Sequence, residues 1–220
     1  MKEAHGIVVR GLTHRIEGRR RRRDILISYL DKVGKSGAQY AKLYAEENEI
    51  YHENAVERGK LSTVLKRKNG IQAVVFVDDF IGTGNSACEC FETLDEDCGD
   101  ILRTSSIITY FIAICGFNSA INSIEKKLSQ LNLPVVLHVC DPLDDSARCF
   151  SDTSYTFTDP AQREKTKDIA SSYGIRLQKR DPLGFGNCQA TVVFEDSCPN
   201  NSLPIPWDRS SQWMPMFERF

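Results

Sequence analysis

Apolar residues in this chain fall into short continuous runs, separated by segments of helical period. Ile25-Leu26-Ile27-Ser28-Tyr29-Leu30, Gln72 to Val77, Ser106 to Cys115, Pro134 to Cys140 and Thr191-Val192-Val193-Phe194 each read as a strand. Gly6-Ile7-Val8-Val9-Arg10 reads as a further short strand. Between them, Ala38 to Asn48 carries Tyr40, Leu43 and Tyr44 at helical spacing, and Ser86 to Leu94 predicts a second helix. Asn118 to Leu131 sets Ile121, Ile124 and Leu128 on one helical face. Pro160 to Tyr173 reads as a helix with Gly174 as its C-cap. Lys60 to Gly70 is basic and reads as a mobile stretch. Near-continuous apolar strands alternating with helices predict an α/β fold: a mostly parallel sheet flanked by helices on both faces. Such sheets bind ligands at the carboxyl ends of their strands. The polar ends to inspect are residues 31–37, 78–86, 115–117, 141–145 and 195–201.

Composition narrows the class. With 220 residues, 41% hydrophobic and 26% charged, the chain has enough apolar sequence for one large domain or two small ones. The division expected is a basic N-terminal lead-in over 1–23 and a domain over 24–220. Lys+Arg number 28 against 30 Asp+Glu, a net charge of -2. That excludes a protein that coats nucleic acid by bulk charge. The local exception is Arg19 to Arg23, five consecutive arginines. They read either as a solvated basic segment or as a contact for nucleic acid or another polyanion. No apolar run approaches the ~18 residues of a membrane span. No apolar stretch precedes a small-residue cleavage site near the N-terminus, so the expected location is cytoplasmic. The eight cysteines include no C-x-x-C pair, which removes the usual zinc spacing and points to free thiols in a reducing compartment.

The segment richest in chemistry is Val74-Val75-Phe76-Val77-Asp78-Asp79-Phe80-Ile81-Gly82-Thr83-Gly84-Asn85-Ser86. A buried strand ends in two carboxylates, a glycine-bearing loop follows, and a helix begins at once. Glycines let backbone N–H groups line a concave anion nest, and the helix N-terminus adds partial positive charge. Thr83 and Ser86 add hydroxyl donors, so the loop suits one phosphate. Asp78 and Asp79 suit hydroxyl donors such as those of a ribose, or Mg²⁺ held through water. A nucleotide-binding P-loop reading fails on spacing. Its candidate, Gly34-Lys35-Ser36, has Tyr29 where the first glycine is required.

The same thirteen positions resemble the phosphoribosyl-pyrophosphate (PRPP) motif of type I phosphoribosyltransferases. The resemblance implies that Asp78 and Asp79 bind the ribose hydroxyls and that Gly82, Thr83, Gly84, Asn85 and Ser86 cradle the 5-phosphate. It also implies Mg²⁺ as cofactor, held through substrate and water with no direct protein ligand. A second loop, Gly34-Lys35-Ser36-Gly37 after the strand 25–30, would hold pyrophosphate. A flexible loop over Glu57 to Asn69 would close on the reaction centre, with Lys60, Lys66, Arg67 and Lys68 as candidate cations. Phe80 and Gly82 depart from the usual pattern of the motif.

Gly184-Phe185-Gly186-Asn187 and the box from Val192 to Trp207 look like the terminal box of a divergent phosphoribosyltransferase-like group found in bacterial conflict and antiphage systems. Phe76 to Ser86, with Phe80 and Gly82, also resembles that group's loop. Some of its members look like retron effectors, which implies a reverse transcriptase and its DNA–RNA hybrid as partners. On the residues alone, Asn200 and Asn201 could read base edges and Trp207 could stack on a base, or the box is a packed turn. His138 reads as a core histidine, and Asp141, Asp144 and Asp145 as a solvated turn. The expected activity is Mg²⁺-dependent transfer of ribose phosphate from PRPP or a related ribose phosphate to an unidentified acceptor. The alternative is a nucleotide-binding sensor or partner-binding module on the same fold. Neither reading involves a membrane, and both allow an oligomer.

Overall fold

Nine residues, Ala73 to Ile81, form the central strand, and eight of them are buried. The computed structural model describes residues 2–12, 22–30, 36–195, 197–209 and 213–217. In chain order the elements are α1 (Lys2–Gly11), β1 (Ile25–Ser28), α2 (Ser36–Glu47), α3 (Arg58–Arg67), β2 (Ala73–Ile81), α4 (Asn85–Thr104) and β3 (Ile108–Phe117). There follow α5 (Asn118–Leu131), β4 (Val135–Leu143), α6 (Pro160–Leu177) and the short α7 (Pro204–Trp207).

The four strands lie in the order β1-β2-β3-β4, with β1 and β3 each pairing parallel to β2. Register runs from Ile25↔Ala73 to Ser28↔Phe76, and from Ala73↔Ile108 to Ile81↔Gly116. Alternate residues of a strand face opposite sides. Ile25, Ile27, Val75, Val77 and Ile112 therefore share one face, where they pack with Ala4, Val8 and Leu12 and with Tyr40, Ala41 and Tyr44 of α2. Phe76 and Phe111 take the other face, both in edge contact with Phe91 of α4, at 6.4 and 5.4 Å between ring centroids. The sheet is thus covered on both sides, as its apolar strands require.

Contacts divide the chain into two units: Met1–Gly116 with Ala120–Asp141, and Phe117–Ser119 with Pro142–Phe220. The second unit is organised around Cys149, Phe150, Ala170 and Leu183, with Phe150 stacked on Phe157 at 5.6 Å.

Four local expectations are corrected. Gly6–Arg10 is helical, because Ala4 and Val8 recur at i,i+4 and both are buried. Glu57–Asn69 holds helix α3, with Leu61 and Leu65 buried at the same spacing. Gly174 lies inside α6, and a Cβ there would collide with the Pro182 carbonyl, so glycine permits a close approach. Thr191–Phe194 is not a strand. Its backbone is held by loop and side-chain groups, such as Ser202 Oγ donating to Val192 O at 2.6 Å.

Helix α1 carries a pH-sensitive contact. His5 Nδ1 lies 2.8 Å from Tyr44 Oη, and its ring meets Tyr44 edge-on at 5.5 Å. Burial, then the nearby Arg22 charge, lowers the His5 pKa from 6.5 to about 4, against the opposing pull of Asp24. Between those values the unfolded chain binds a proton that the folded chain excludes, so acidification destabilises the fold. The melting temperature of the wild type is expected to fall more between pH 7 and pH 5 than that of His5→Gln. Coincident acid limbs would show that His5 carries no such load.

Candidate functional site

β2 runs through both carboxylates and ends at Ile81, later than the sequence suggested. Asp79 is 7% exposed, while Asp78 is half-buried opposite Ala113 of β3. Consecutive strand residues point to opposite faces, so the pair is not arranged as a chelate for one bare ion. The Asp79 N–H donates to Asp78 Oδ1 at 3.0 Å.

The loop Gly82-Thr83-Gly84 then enters α4. Gly82 and Gly84 are buried, Thr83 is half-buried, and Asn85 and Ser86 are exposed at the helix start. Gly84 is the N-cap residue, with φ 79° and ψ -9°. A Cβ on it would sit 3.0 Å from the Ala120 carbonyl oxygen. Conformation and space both call for glycine. Gly84 O accepts from Cys88 N at 2.9 Å, and Thr83 Oγ1 accepts a long bond from Asn85 N at 3.4 Å. α4 has no side-chain cap on its N-cap residue and no acidic residue in its first turn. An anion is the natural partner for such a terminus. Gly84→Ala is expected to cost about 1–2 kcal/mol through the left-handed turn alone. It should also weaken binding of a phosphate ligand, which paired thermal melts and titrations would separate.

The parallel pairing ends at Ser28↔Phe76, so β1 stops beside β2 just before Asp78. Of the expected pyrophosphate turn, Gly34 and Lys35 lie outside the described residues. Ser36 and Gly37 open α2, two residues earlier than the helix start predicted at Ala38. The expected closing loop over 57–69 is α3, and its candidate cations are spread along it. Lys60 pairs with Glu57 at 2.9 Å, and Lys68 donates to Asn54 Oδ1 at 2.5 Å. Lys66 and Arg67 are exposed in the last turn.

Sequence reasoning missed Arg58. Its Nη1 lies 3.5 Å from Leu30 O and 3.4 Å from Cys90 O, which places a cation where β1 ends and α4 passes. No pattern in the sequence singled it out from its basic neighbours.

Arg22 and Arg23, from the arginine run, are committed within the first unit. Arg22 grips Asp24, and Arg23 lies over the Tyr51 ring at 4.5 Å. Arg19, Arg20 and Arg21 lie outside the described residues. In the second unit, Asn201 is buried and donates to Phe185 O at 3.3 Å, while its carbonyl accepts from Ala190 N. Trp207 is buried and donates from Nε1 to Ser202 O at 3.0 Å. The box is a packed turn, so these two side chains are not poised to read a base. Asp144 caps the turn at Ser146, and Asp145 pairs with Arg148. His138 is half-buried on β4.

None of the eight cysteines is in a disulfide, and burial pushes Cys98, Cys115 and Cys149 up to about 11. Those three thiols stay protonated near neutrality and are poor nucleophiles. Among the described residues no three His, Cys, Asp or Glu side chains gather as a metal site. The donor set at the strand end suits a hard, oxygen-seeking ion that keeps water and ligand oxygens, which is how Mg²⁺ binds beside a diphosphate. No helix among the described residues is long and apolar enough to cross a membrane.

A family model described as PRTase-CE covers residues 10–219. No curated protein matches the sequence.

Proposed function

The chain belongs to the PRTase-CE family, a phosphoribosyltransferase-like family, and from that premise we propose that it binds PRPP or a related ribose phosphate with Mg²⁺ and transfers the ribose phosphate to an acceptor. The observation that carries the reading is the run from β2 through Asp78, Asp79 and the Gly82–Gly84 turn into the uncapped start of α4. In this reading Asp78, on the face of β2 that carries α4, accepts hydrogen bonds from the ribose 2- and 3-hydroxyls, while Asp79, buried on the opposite face, supports the strand end. The backbone N–H groups of residues 82–86, with the Thr83 and Ser86 hydroxyls, hold the 5-phosphate. Residues Gly34, Lys35, Ser36 and Gly37 receive the diphosphate, and Arg58 adds positive charge near the end of β1.

Mg²⁺, when bound, would offset diphosphate charge. The chain's own task is to hold ribose and phosphate so that an acceptor can reach C1. The bond from C1 to the diphosphate oxygen breaks, the acceptor bonds to C1, and pyrophosphate leaves. Positioning and charge stabilisation would supply the acceleration, with no covalent enzyme intermediate. The resemblance in Phe76–Ser86 and in the terminal box supports an effector role in an antiphage system, beside a reverse transcriptase and its DNA–RNA hybrid.

One observation favours a second reading. A transferase of this kind closes a mobile loop over its reaction centre, whereas residues 58–67 form a helix anchored by Leu61 and Leu65. A nucleotide-binding sensor needs no closing loop. Titration calorimetry with PRPP and Mg²⁺, run beside an assay for released pyrophosphate, separates the two. Binding with PRPP turnover in the presence of acceptor supports the transferase. Binding without turnover across bases, nucleotides, nucleic acids and proteins favours the sensor, and no binding overturns the ribose-phosphate site.

A further inference from the structure

The Arg148 guanidinium, in the second unit, is heavily engaged. Nε donates to Asp145 Oδ1 at 2.9 Å, Nη1 to Cys188 O at 2.6 Å and Nη2 to Ser119 Oγ at 3.1 Å. Nη1 also lies 3.2 Å from Cys188 Sγ, and the guanidinium sits 3.9 Å from the centroid of the Phe117 ring. Each interaction uses the planar fork of arginine, which a lysine cannot reproduce. Two of the partners, Phe117 and Ser119, bracket a corner of the chain. Phe117 is the last residue of β3 and Ser119 the second of α5, with no loop between strand and helix. One residue further along α5, the Ala120 carbonyl faces Gly84, where an added Cβ would sit only 3.0 Å from it. α5 is continuous from Asn118 to Leu131, so a shift of its first turn displaces that carbonyl.

We infer that Arg148 is a positioning residue for the Gly82–Ser86 loop. By pinning Phe117 and Ser119 it sets the first turn of α5, and so the Ala120 carbonyl beside which Gly84 takes its left-handed turn. The inference deepens the ribose-phosphate reading and rests on it only for the identity of the ligand. Arg148 touches no reacting atom in this scheme, and its effect passes through the strand-to-helix corner.

The test compares the wild-type chain with Arg148→Ala, with Ser119→Ala and with Phe157→Leu. Ser119→Ala removes the Nη2 partner and leaves the Arg148 side chain in place. Phe157→Leu loosens the second unit without touching Phe117 or Ser119, and so controls for general destabilisation. Amide hydrogen exchange is followed over residues 82–88, with 73–77 as the internal reference, and ribose 5-phosphate affinity is measured by calorimetry. Expected are faster exchange over 82–88 in Arg148→Ala and Ser119→Ala but not in Phe157→Leu, with 73–77 unchanged. Ribose 5-phosphate affinity should fall about tenfold in Arg148→Ala, below the roughly hundredfold cost of a 1 Å misplacement. Unchanged exchange over 82–88 in both variants, or an equal change in Phe157→Leu, overturns the positioning role. If the wild type itself fails to bind ribose 5-phosphate, the ribose-phosphate reading fails, and the exchange comparison alone decides the role of Arg148.

Discussion

The Asp78→Asn, Asp79→Asn double variant is expected to bind PRPP at least about a hundredfold more weakly than the wild type. A hydrogen bond to a charged acceptor is worth about 1.5–3 kcal/mol. Two of them lost would total about 3–6 kcal/mol, and tenfold in affinity is about 1.4 kcal/mol. Asparagine retains one acceptor oxygen, so the lower end of that range applies. The substitution nearly preserves shape, and the amide oxygen of Asp78→Asn can still accept from the residue-79 N–H, as the Asp78 carboxylate does at 3.0 Å. Asp79 is the more buried of the two, so the single variants should differ in stability. Calorimetry with PRPP and Mg²⁺ measures the first effect, and circular-dichroism melts measure the second. A double variant that folds and binds PRPP like the wild type would remove the acid pair from the site.

Much of this geometry was legible in the sequence, because strand, loop and helix follow one another without interruption between Val74 and Ser86. The apolar run Val74–Val77 read as a buried strand and the glycine loop as the entry to a helix, and the structure shows both. Helix α5 was legible to both its ends, Asn118 and Leu131, because Ile121, Ile124 and Leu128 repeat on one face. The failures have a common cause. Ile7-Val8-Val9 read as a strand because local apolar density outweighed the i,i+4 spacing of Ala4 and Val8, which the core exploits. In α3 the basic residues hid Leu61 and Leu65, so a packed helix read as a mobile loop. Thr191–Phe194 has strand composition, but no strand of the sheet pairs with it. The groups that bond it include Ser202 Oγ, further along the chain, and Ala147 O, far earlier in it, and no local pattern announces them. Arg58 was invisible for the same reason, since its meaning depends on Leu30 and Cys90.

Tertiary context commits Arg22 of the arginine run to Asp24, and that pair leads to the largest expected effect on stability. Arg22 Nε and Nη2 meet Asp24 Oδ1 and Oδ2 at 3.0 and 2.6 Å, with side chains 13% and 8% exposed. Gln72 Nε2 also donates to Asp24 Oδ2, at 2.7 Å. The backbone of Arg22 bridges to Glu49 and Tyr51, so the pair closes the entrance to β1. Removing one member of a buried pair leaves the other charge uncompensated, at a cost of about 3–5 kcal/mol. Arg22→Ala is therefore expected to lower the urea midpoint steeply, since whole domains are stable by only about 5–15 kcal/mol. Replacing both charges by apolar residues, as in Arg22→Met with Asp24→Leu, should recover much of the loss, because a buried pair gains little over a packed apolar contact. A double variant as unstable as Arg22→Ala would mean that the backbone bridge, and not the ion pair, holds this corner. The same geometry decides how a nucleic-acid role for the run is tested. Neutralising Arg19, Arg20 and Arg21 alone should flatten the salt dependence of nucleic-acid binding if those residues make phosphate contacts. Including Arg22 would confound lost contacts with lost fold. An unchanged slope in a stably folded triple variant would remove Arg19, Arg20 and Arg21 from any nucleic-acid interface.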